Sequence, residues 1–483
     1  MLKRAIRWYD YITINIYYLG LTTLAQTNGL ILPILVQDFV GESQQGAFYG
    51  TIRLYTLMVA LLAQSIMGMV SDHSSFRWGR RRPFIFIGTF FNLVFITAIG
   101  FTLGMEGMRG FWFLFTIAIL LQISTNTAHA AQQGLIPDLV PEEKRGRFSG
   151  FKAVLELPLP LLLVSFTIAR VISAGNLLGG ILLAAGILVI VMVITMFVPE
   201  KPLQANLKDL DWKPFLRLFL MTGLFTSIIL GSGKVVNIIG QYLEPLQSPL
   251  QKLVLMGLVG LFGIIIAIGA GVLFSVRISL GRDARLNPSF LWWVINRLAY
   301  LAGVINLSAF AIFFIQARLG YIRETAAGPV AILLLIVGAF VFITALPSGW
   351  LSDRFGNKKL VVLSGALAGL GTFIAILTPN LIVIYLGGSL IGIATGIFYT
   401  ANWALGTELV PKKESGRYLG ISNLAGAGAG AIGAYIGGPI ADYFTFHHPD
   451  MLGIGYVLLF AIFGVLFLLS IAPILLVKVP PSH

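Results

Sequence analysis

Fourteen long apolar runs occupy most of this chain, and they decide what it can fold into. They fall at about 12–39, 46–71, 83–104, 111–138, 148–170, 177–198, 214–232, 250–276, 289–317, 326–351, 359–378, 380–409, 417–441 and 452–477. A helix rises 1.5 Å per residue, so about 20 residues cross a hydrocarbon core about 30 Å thick. The expectation is an all-α polytopic membrane protein. Only 11% of the 483 residues are charged and 57% are hydrophobic, against roughly 25% charged in soluble domains. That balance excludes a soluble enzyme with one membrane anchor. Cysteine is absent, which removes disulfides, thiolate metal sites and cysteine nucleophiles. The opening MLKRAIRWYDYI has a basic start but no small-residue cleavage site, so it reads as the lead-in to a retained first span.

The net charge of +13 is a matter of topology rather than of nucleic acid. With the N-terminus placed in the cytoplasm, Arg109, Arg170, Lys234, Lys252, Arg318 and Arg323 fall outside, and Arg53 and Arg297 fall within spans. The rest of the 33 Lys and Arg gather at cytoplasmic ends, as the positive-inside rule requires. The expected location is the plasma (inner) membrane, multi-pass, with both termini cytoplasmic. The basic loops at 199–213 and 277–288 both read as cytoplasmic, so 250–276 and with it 214–232 are expected to cross, leaving 233–249 outside; an interfacial amphipathic helix, with Lys213 and Arg217 at its start, is the alternative for 214–232.

The chain repeats itself. Gly68-Met-Val-Ser-Asp72, followed by Gly79-Arg80-Arg81-Arg82, answers Gly349-Trp-Leu-Ser-Asp353-Arg354-Phe-Gly356-Asn-Lys358-Lys359. Asp138-Leu-Val-Pro141 with Gly146-Arg147 answers Glu408-Leu-Val-Pro411 with Gly416-Arg417. Repeated halves are a recurrent transporter architecture. The expected domains are a six-helix bundle over 1–198, a linker with two extra helices over 199–288, and a second six-helix bundle over 289–483. A carboxylate at a span's end beside clustered Arg or Lys forms charge-assisted hydrogen bonds. Asp72, Arg80, Arg81, Arg82, Asp138 and Arg147, with Asp353, Arg354, Glu408 and Arg417, are therefore the candidate cytoplasmic gate. The tighter Asp-Arg-x-Gly spacing ranks the Asp353 loop as the stronger latch.

At these residues the chain resembles the major facilitator superfamily, whose second-to-third-span loop carries Gly-x-x-x-Asp-Arg-x-Gly-Arg-Arg. Gln64-Ser-Ile-Met-Gly68-Met-Val-Ser-Asp72 with Gly79-Arg80-Arg81-Arg82-Pro83-Phe84, and then Asn126, Gly134 and Asp138-Leu139, resemble its sucrose/glycoside–cation symporter branch. The resemblance implies two six-helix bundles, here with an inserted pair making about 14 spans, that move a solute by alternating access. That branch places an Asp and an Arg in the fourth span for proton coupling. Here Gln133 stands at the Arg position, and 111–137 holds no carboxylate.

A charge at the bilayer centre costs about 2.5–3.5 kcal/mol, so each one retained needs a reason. Arg297 lies too deep to reach water easily and is a candidate for the substrate site. Arg53 can snorkel to the outer interface. Glu156 can pair with Lys152 four residues earlier. Gln122, Asn126, His129 and Gln133 recur every three or four residues, so they form one polar stripe of the fourth helix. Several donors and acceptors on one face suit a hydroxyl-rich or amide-bearing solute, and helix–helix glue is the plain alternative. Gln26 and Asn28 in the first span, and Asn402 and Trp403 in the twelfth, extend the candidate substrate site. His129, with an ordinary pKa of about 6.5, joins Glu156 and Arg53 as a coupling candidate. His447 and His448, near Asp442 and Asp450, form no persuasive metal site. The glycine-rich Ala425–Gly433 stretch is not preceded by a strand, so it reads as close helix packing.

The expectation is a secondary transporter for a small polar solute, most plausibly a sugar or glycoside. It is not an enzyme, needs no cofactor and works as a monomer in the bilayer, with H⁺ coupling, Na⁺ coupling and facilitated diffusion all open. The alternative is a non-transporting assembly or pigment-handling protein of the same fold.

Overall fold

The computed structural model describes residues 6–200, 212–280, 288–410 and 415–478, with the side chains of 415–425 outside that description. The helices are α1 (Trp8–Val40), α2 (Gln45–Asp72), α3 (Arg82–Gly104), α4 (Gly107–Leu139), α5 (Glu143–Ser173), α6 (Leu177–Met196) and α7 (Lys213–Leu243). They continue with α8 (Pro249–Leu280), α9 (Pro288–Leu319), α10 (Ala327–Phe355), α11 (Asn357–Leu377), α12 (Leu381–Leu409), α13 (Ser415–His447) and α14 (Ile454–Leu475). Among the described residues, thirteen are long and apolar enough to cross a membrane. Helix α13, 33 residues long, occupies the position of the remaining apolar run. Every expected span is thus met by a helix, and no strand occurs among the described residues.

One boundary differs. Helix α7 runs on to Leu243, so the expected loop at 233–249 shrinks to a turn after it. Lys234 and Gln241 do not stop the backbone ladder; Pro245 does, since it cannot extend a helix.

Helix α5 is broken. Its first segment ends at Glu156, Leu157 leaves helical geometry, and Pro158 opens the next segment. A π-turn over Val164–Ile168 follows. Two prolines within three residues account for the break, because neither has an N–H to give the preceding turn.

The chain forms two compact units, 1–39 with 59–216 and 40–58 with 217–483. In the first, Gly88 of α3 lets the backbone of α4 approach at Ser124 and Ala128. In the second, the glycines of α13 do similar work. Gly428 faces Phe225 of α7, and Gly433 faces Asn306 of α9. Close packing is what the Ala425–Gly433 stretch provides where it is described.

The beginning of α2 belongs to the second unit. Tyr49 is buried edge-on against Phe310 and Phe313. The first backbone N–H groups of α2 have no partner of their own. Asp442 of α13, itself buried, supplies one: Gly46 N–H donates to Oδ1 at 2.8 Å and Ala47 N–H to Oδ2 at 2.7 Å. The Tyr456 hydroxyl donates to the same carboxylate at 3.1 Å. His447 and His448 stack instead on Tyr443 and Phe444, and Asp442 is used as a cap.

Replacing Asp442 with Ala leaves buried N–H donors unpaired at about 1–3 kcal/mol each. The thermal midpoint in detergent should fall by several degrees for Asp442→Ala and less for Asp442→Asn. Equal midpoints for all three proteins would show that the cap is dispensable.

Candidate functional site

Three polar clusters stand out, and the loop between α2 and α3 builds the densest. Gly79 takes φ +112°, a left-handed conformation that glycine adopts without strain. It turns the chain so that Arg81 reaches back to the end of α2. Arg81, 7% exposed, reaches Asp72 and the Ser71 hydroxyl through its terminal nitrogens. Its Nε–H donates to Asp138 Oδ2 at 2.8 Å. Arg80 pairs with the other oxygen of Asp138. One planar guanidinium thus joins the ends of α2, α3 and α4, which the point charge of a lysine cannot do. Burial works against the Arg81 charge, but Asp138 and Asp72 outweigh it and hold its pKa above the usual arginine value.

Two further residues complete this cluster. Gly134 is the gap in α4 that Arg81 fills; a Cβ there would collide with the guanidinium. Glu200, just beyond α6, caps α3: Arg81 N–H donates to its Oε1 at 2.7 Å and Arg82 N–H to its Oε2 at 3.0 Å. Burial pushes the Glu200 carboxyl up, against the bonds from those backbone amides. Nothing in the local sequence around Glu200 signals this role, since its partners lie 119 and 118 residues away. Arg147 is exposed and outside the cluster, whereas Arg145 donates to Val140 and Pro137 carbonyls at the end of α4.

The second copy is built differently. Gly356 again takes positive φ, +90°, which explains the glycine common to both loops. Where the first copy uses a guanidinium, Asn357 bridges the Ser352 hydroxyl and Glu408, donating to Glu408 Oε1 at 2.6 Å. Arg354 lies over the Trp350 and Phe355 rings. Among the described residues Asp353 has no ion pair, and the Arg417 side chain lies outside them. The tighter spacing therefore does not translate into a stronger charged cluster among these residues. One feature does repeat: Arg82 reaches the Met196 carbonyl at the end of α6, and Lys358 reaches those of Leu475 and Val477 at the end of α14.

The α4 stripe divides into pairs. Asn126 donates to the Gln122 carbonyl and side chain. Gln133 contacts His129 Nε2 at 3.1 Å and accepts from Gln64 Nε2 of α2 at 3.3 Å. His129 meets the Tyr18 ring edge-on, and the Lys152 ammonium lies 4.4 Å from the centre of that ring. Lys152 pairs with Glu156 at 3.5 Å, beside the break in α5. Histidine, ammonium and carboxylate thus meet around a buried tyrosine, whose part the sequence does not signal. Gln26 and Asn28 are half-buried on α1 and make no bond to this group among the described residues.

The third cluster surrounds Arg297 of α9. Its Nη1 donates to Asn402 Oδ1 at 2.9 Å, and the guanidinium lies 5.7 Å from the Trp293 ring and 5.4 Å from the Trp403 ring. Asn402 is held in turn, donating to Asn296 Oδ1 at 2.9 Å, while Asn296 donates to the Ser470 carbonyl at 2.8 Å. Trp293 N–H closes the group on the Asn402 carbonyl. Among the described residues Arg297 has no carboxylate partner, and its buried Nε has no hydrogen-bond acceptor. Asn296 is the polar sequence neighbour of Arg297, whereas nothing in the sequence around Trp293 marks it as a partner. Arg53 stands apart, its guanidinium 5.8 Å from the Tyr49 ring.

The family model described as the Major Facilitator Superfamily matches residues 13–317 and 293–483. The chain belongs to that superfamily. It is 32% identical over 168 residues to the galactose-proton symporter of Escherichia coli strain K12, covering 34% of this chain and 35% of that one. It is 33% identical over 88 residues to the minor myo-inositol transporter IolF of Bacillus subtilis, covering 18% of this chain and 20% of that one. Each match therefore takes in about a third or less of the relative's length. A solved D-xylose-proton symporter superposes with TM-score 0.64 at 17% identity, covering 97% of each chain. A solved nucleoside transporter, NupG, superposes with TM-score 0.65 at 12% identity, covering 96% of this chain and 99% of that one. These structures share the fold.

The fit of Gly134 to Arg81 gives the protein a non-additive signature. Gly134→Ala and Arg81→Ala should each lower the thermal midpoint. The double variant should be no worse than Arg81→Ala alone, because removing the guanidinium makes room for the methyl group. Simple additivity of the two losses would show that the contact is not the cause.

Proposed function

We propose that this transporter moves a sugar or glycoside by alternating access, with proton coupling, in the plasma (inner) membrane and with both termini cytoplasmic. The observation that carries the reading is Arg297. It is a cation retained within a span, flanked by two tryptophans and an anchored carboxamide, with donors left over. A lone guanidinium there costs stability unless something polar meets it. A hydroxyl-rich ring offers acceptors to those donors, and the partly exposed Trp403 offers a face for its apolar side. The partial likeness to a galactose-proton symporter and a myo-inositol transporter supports the same substrate class. His129, Gln133 and Gln64 form a polar group of their own within the first unit. His129 and Glu156 are the coupling residues, because histidine and carboxylate there adjoin the proline break in α5.

In this reading the Arg81 cluster lies on the cytoplasmic side and closes it. Opening that side must separate groups whose charge-assisted contacts are worth about 1.5–3 kcal/mol each.

Purified protein in liposomes should take up labelled sugars from a panel of hexoses, pentoses and glycosides, faster under an inward proton gradient. Arg297→Gln should lower kcat/KM at least tenfold without loss of folded protein. Absence of uptake for every sugar would overturn the reading and favour an assembly role for the fold.

The gate has its own test. Since the chain has no native cysteine, Gln133→Cys reports alone. Asp72→Asn in that background should raise its labelling rate from the cytoplasmic side several-fold. An unchanged rate would leave Asp72 with a topological role only.

A further inference from the structure

A cavity of about 800 Å³ lies among α7, α8, α13 and the beginning of α2, away from the three polar clusters. That is within the range of built small-molecule sites, about 300–1,000 Å³. Its inner wall is apolar: Val236, Ile436, Ile440 and Phe444 are all buried. Glycines shape it. Gly233 leaves room for the Tyr435 ring, and Gly240 faces the tip of Met256, where an added Cβ would lie 3.1 Å from Cε. Beside it on α7, Val235, Ile238 and Tyr242 are exposed. On a membrane-spanning helix such residues face acyl chains, so the cavity adjoins lipid.

The other lining groups are unlike a lipid-facing surface. Lys234 and Lys252 both contribute, against one acid, Glu244. Lys252 Nζ donates to the Glu244 carbonyl at 2.8 Å and to the Tyr443 hydroxyl at 3.2 Å. Lys234, about 14 Å below the end of α7 by helical rise, has no hydrogen bond or ion pair among the described residues. Neither ammonium meets a carboxylate there. Two cations against one acid, beside a deep apolar wall, form the complement of an anionic head with a hydrocarbon tail.

We propose that this cavity holds one anionic phospholipid. Its acyl chain lies along Val236, Ile436 and Ile440, and its phosphate sits between Lys234 and Lys252. A zwitterionic lipid brings a compensating cation that the lysines disfavour. A free phosphate has no use for the apolar wall.

Native mass spectrometry of the full chain, exchanged into detergent with equal amounts of phosphatidylglycerol and phosphatidylcholine of matched chains, tests this. The wild type should retain one phosphatidylglycerol with about tenfold preference. Lys234→Gln with Lys252→Gln should abolish the preference, and Lys234→Arg with Lys252→Arg should keep it. Gly240→Leu, which fills the cavity, should remove the retained lipid of either kind. Lys234→Gln alone, at an exposed position, serves if the double variant does not fold. Equal retention of the two lipids by the wild type would overturn the proposal. So would a preference that survives loss of the lysines, or a retained lipid unaffected by Gly240→Leu.

Discussion

The constraint on which this structure depends is that a backbone amide in a dry environment must be given a partner. An unbroken helix satisfies its own interior, but it leaves orphan N–H groups where it begins. Some starts are served locally, as by Asn176 for α6 and Asn380 for α12. Two are served by carboxylates from far along the chain, Glu200 for α3 and Asp442 for α2. A carboxylate bonded to amides at a helix start gains from both hydrogen bond and dipole. These caps turn a local requirement into a tertiary contact, and they determine which helix ends lie side by side.

What could be read from the sequence follows from the same physics. Hydrocarbon thickness makes span length obligatory, so the thirteen candidate spans among the described residues were legible as apolar runs. The charged loops were legible because Asp, Gly and basic residues recur at related spacings, and in the first copy Asp72, Arg80, Arg81 and Asp138 do meet. Where legibility failed, the partner was distant or neutral. Glu200 lies at the far end of the six-span unit from its amides. Asn357 is not a charge, so a search for ion pairs passes over it although it holds Ser352 and Glu408. Arg147 carries the repeated motif residue, yet its neighbour Arg145 makes the contacts. In the interior, Tyr18 and Trp293 were hidden among many aromatic residues because their roles depend on what approaches their rings.

The two loop copies show how a repeat can keep its backbone and change its chemistry. Gly79 and Gly356 make the same kind of turn, and a basic residue after each reaches the carbonyls ending the sixth helix of its half. Between these common features, the first copy has a guanidinium in contact with two carboxylates and the second a carboxamide in contact with one. An ionic hub is weakened by dissolved salt when its members are partly exposed, as Asp72 is. A carboxamide bridge is much less so.

The break in α5 has a further consequence. In an unbroken helix the carbonyls of Val154 and Glu156 would receive the N–H groups of residues 158 and 160, but both of those are proline. Those two carbonyls thus lose their helical donors beside the Lys152–Glu156 pair. The prolines, through the hydrogens they lack, leave this turn of the first unit with carbonyls open to a polar partner, next to that pair.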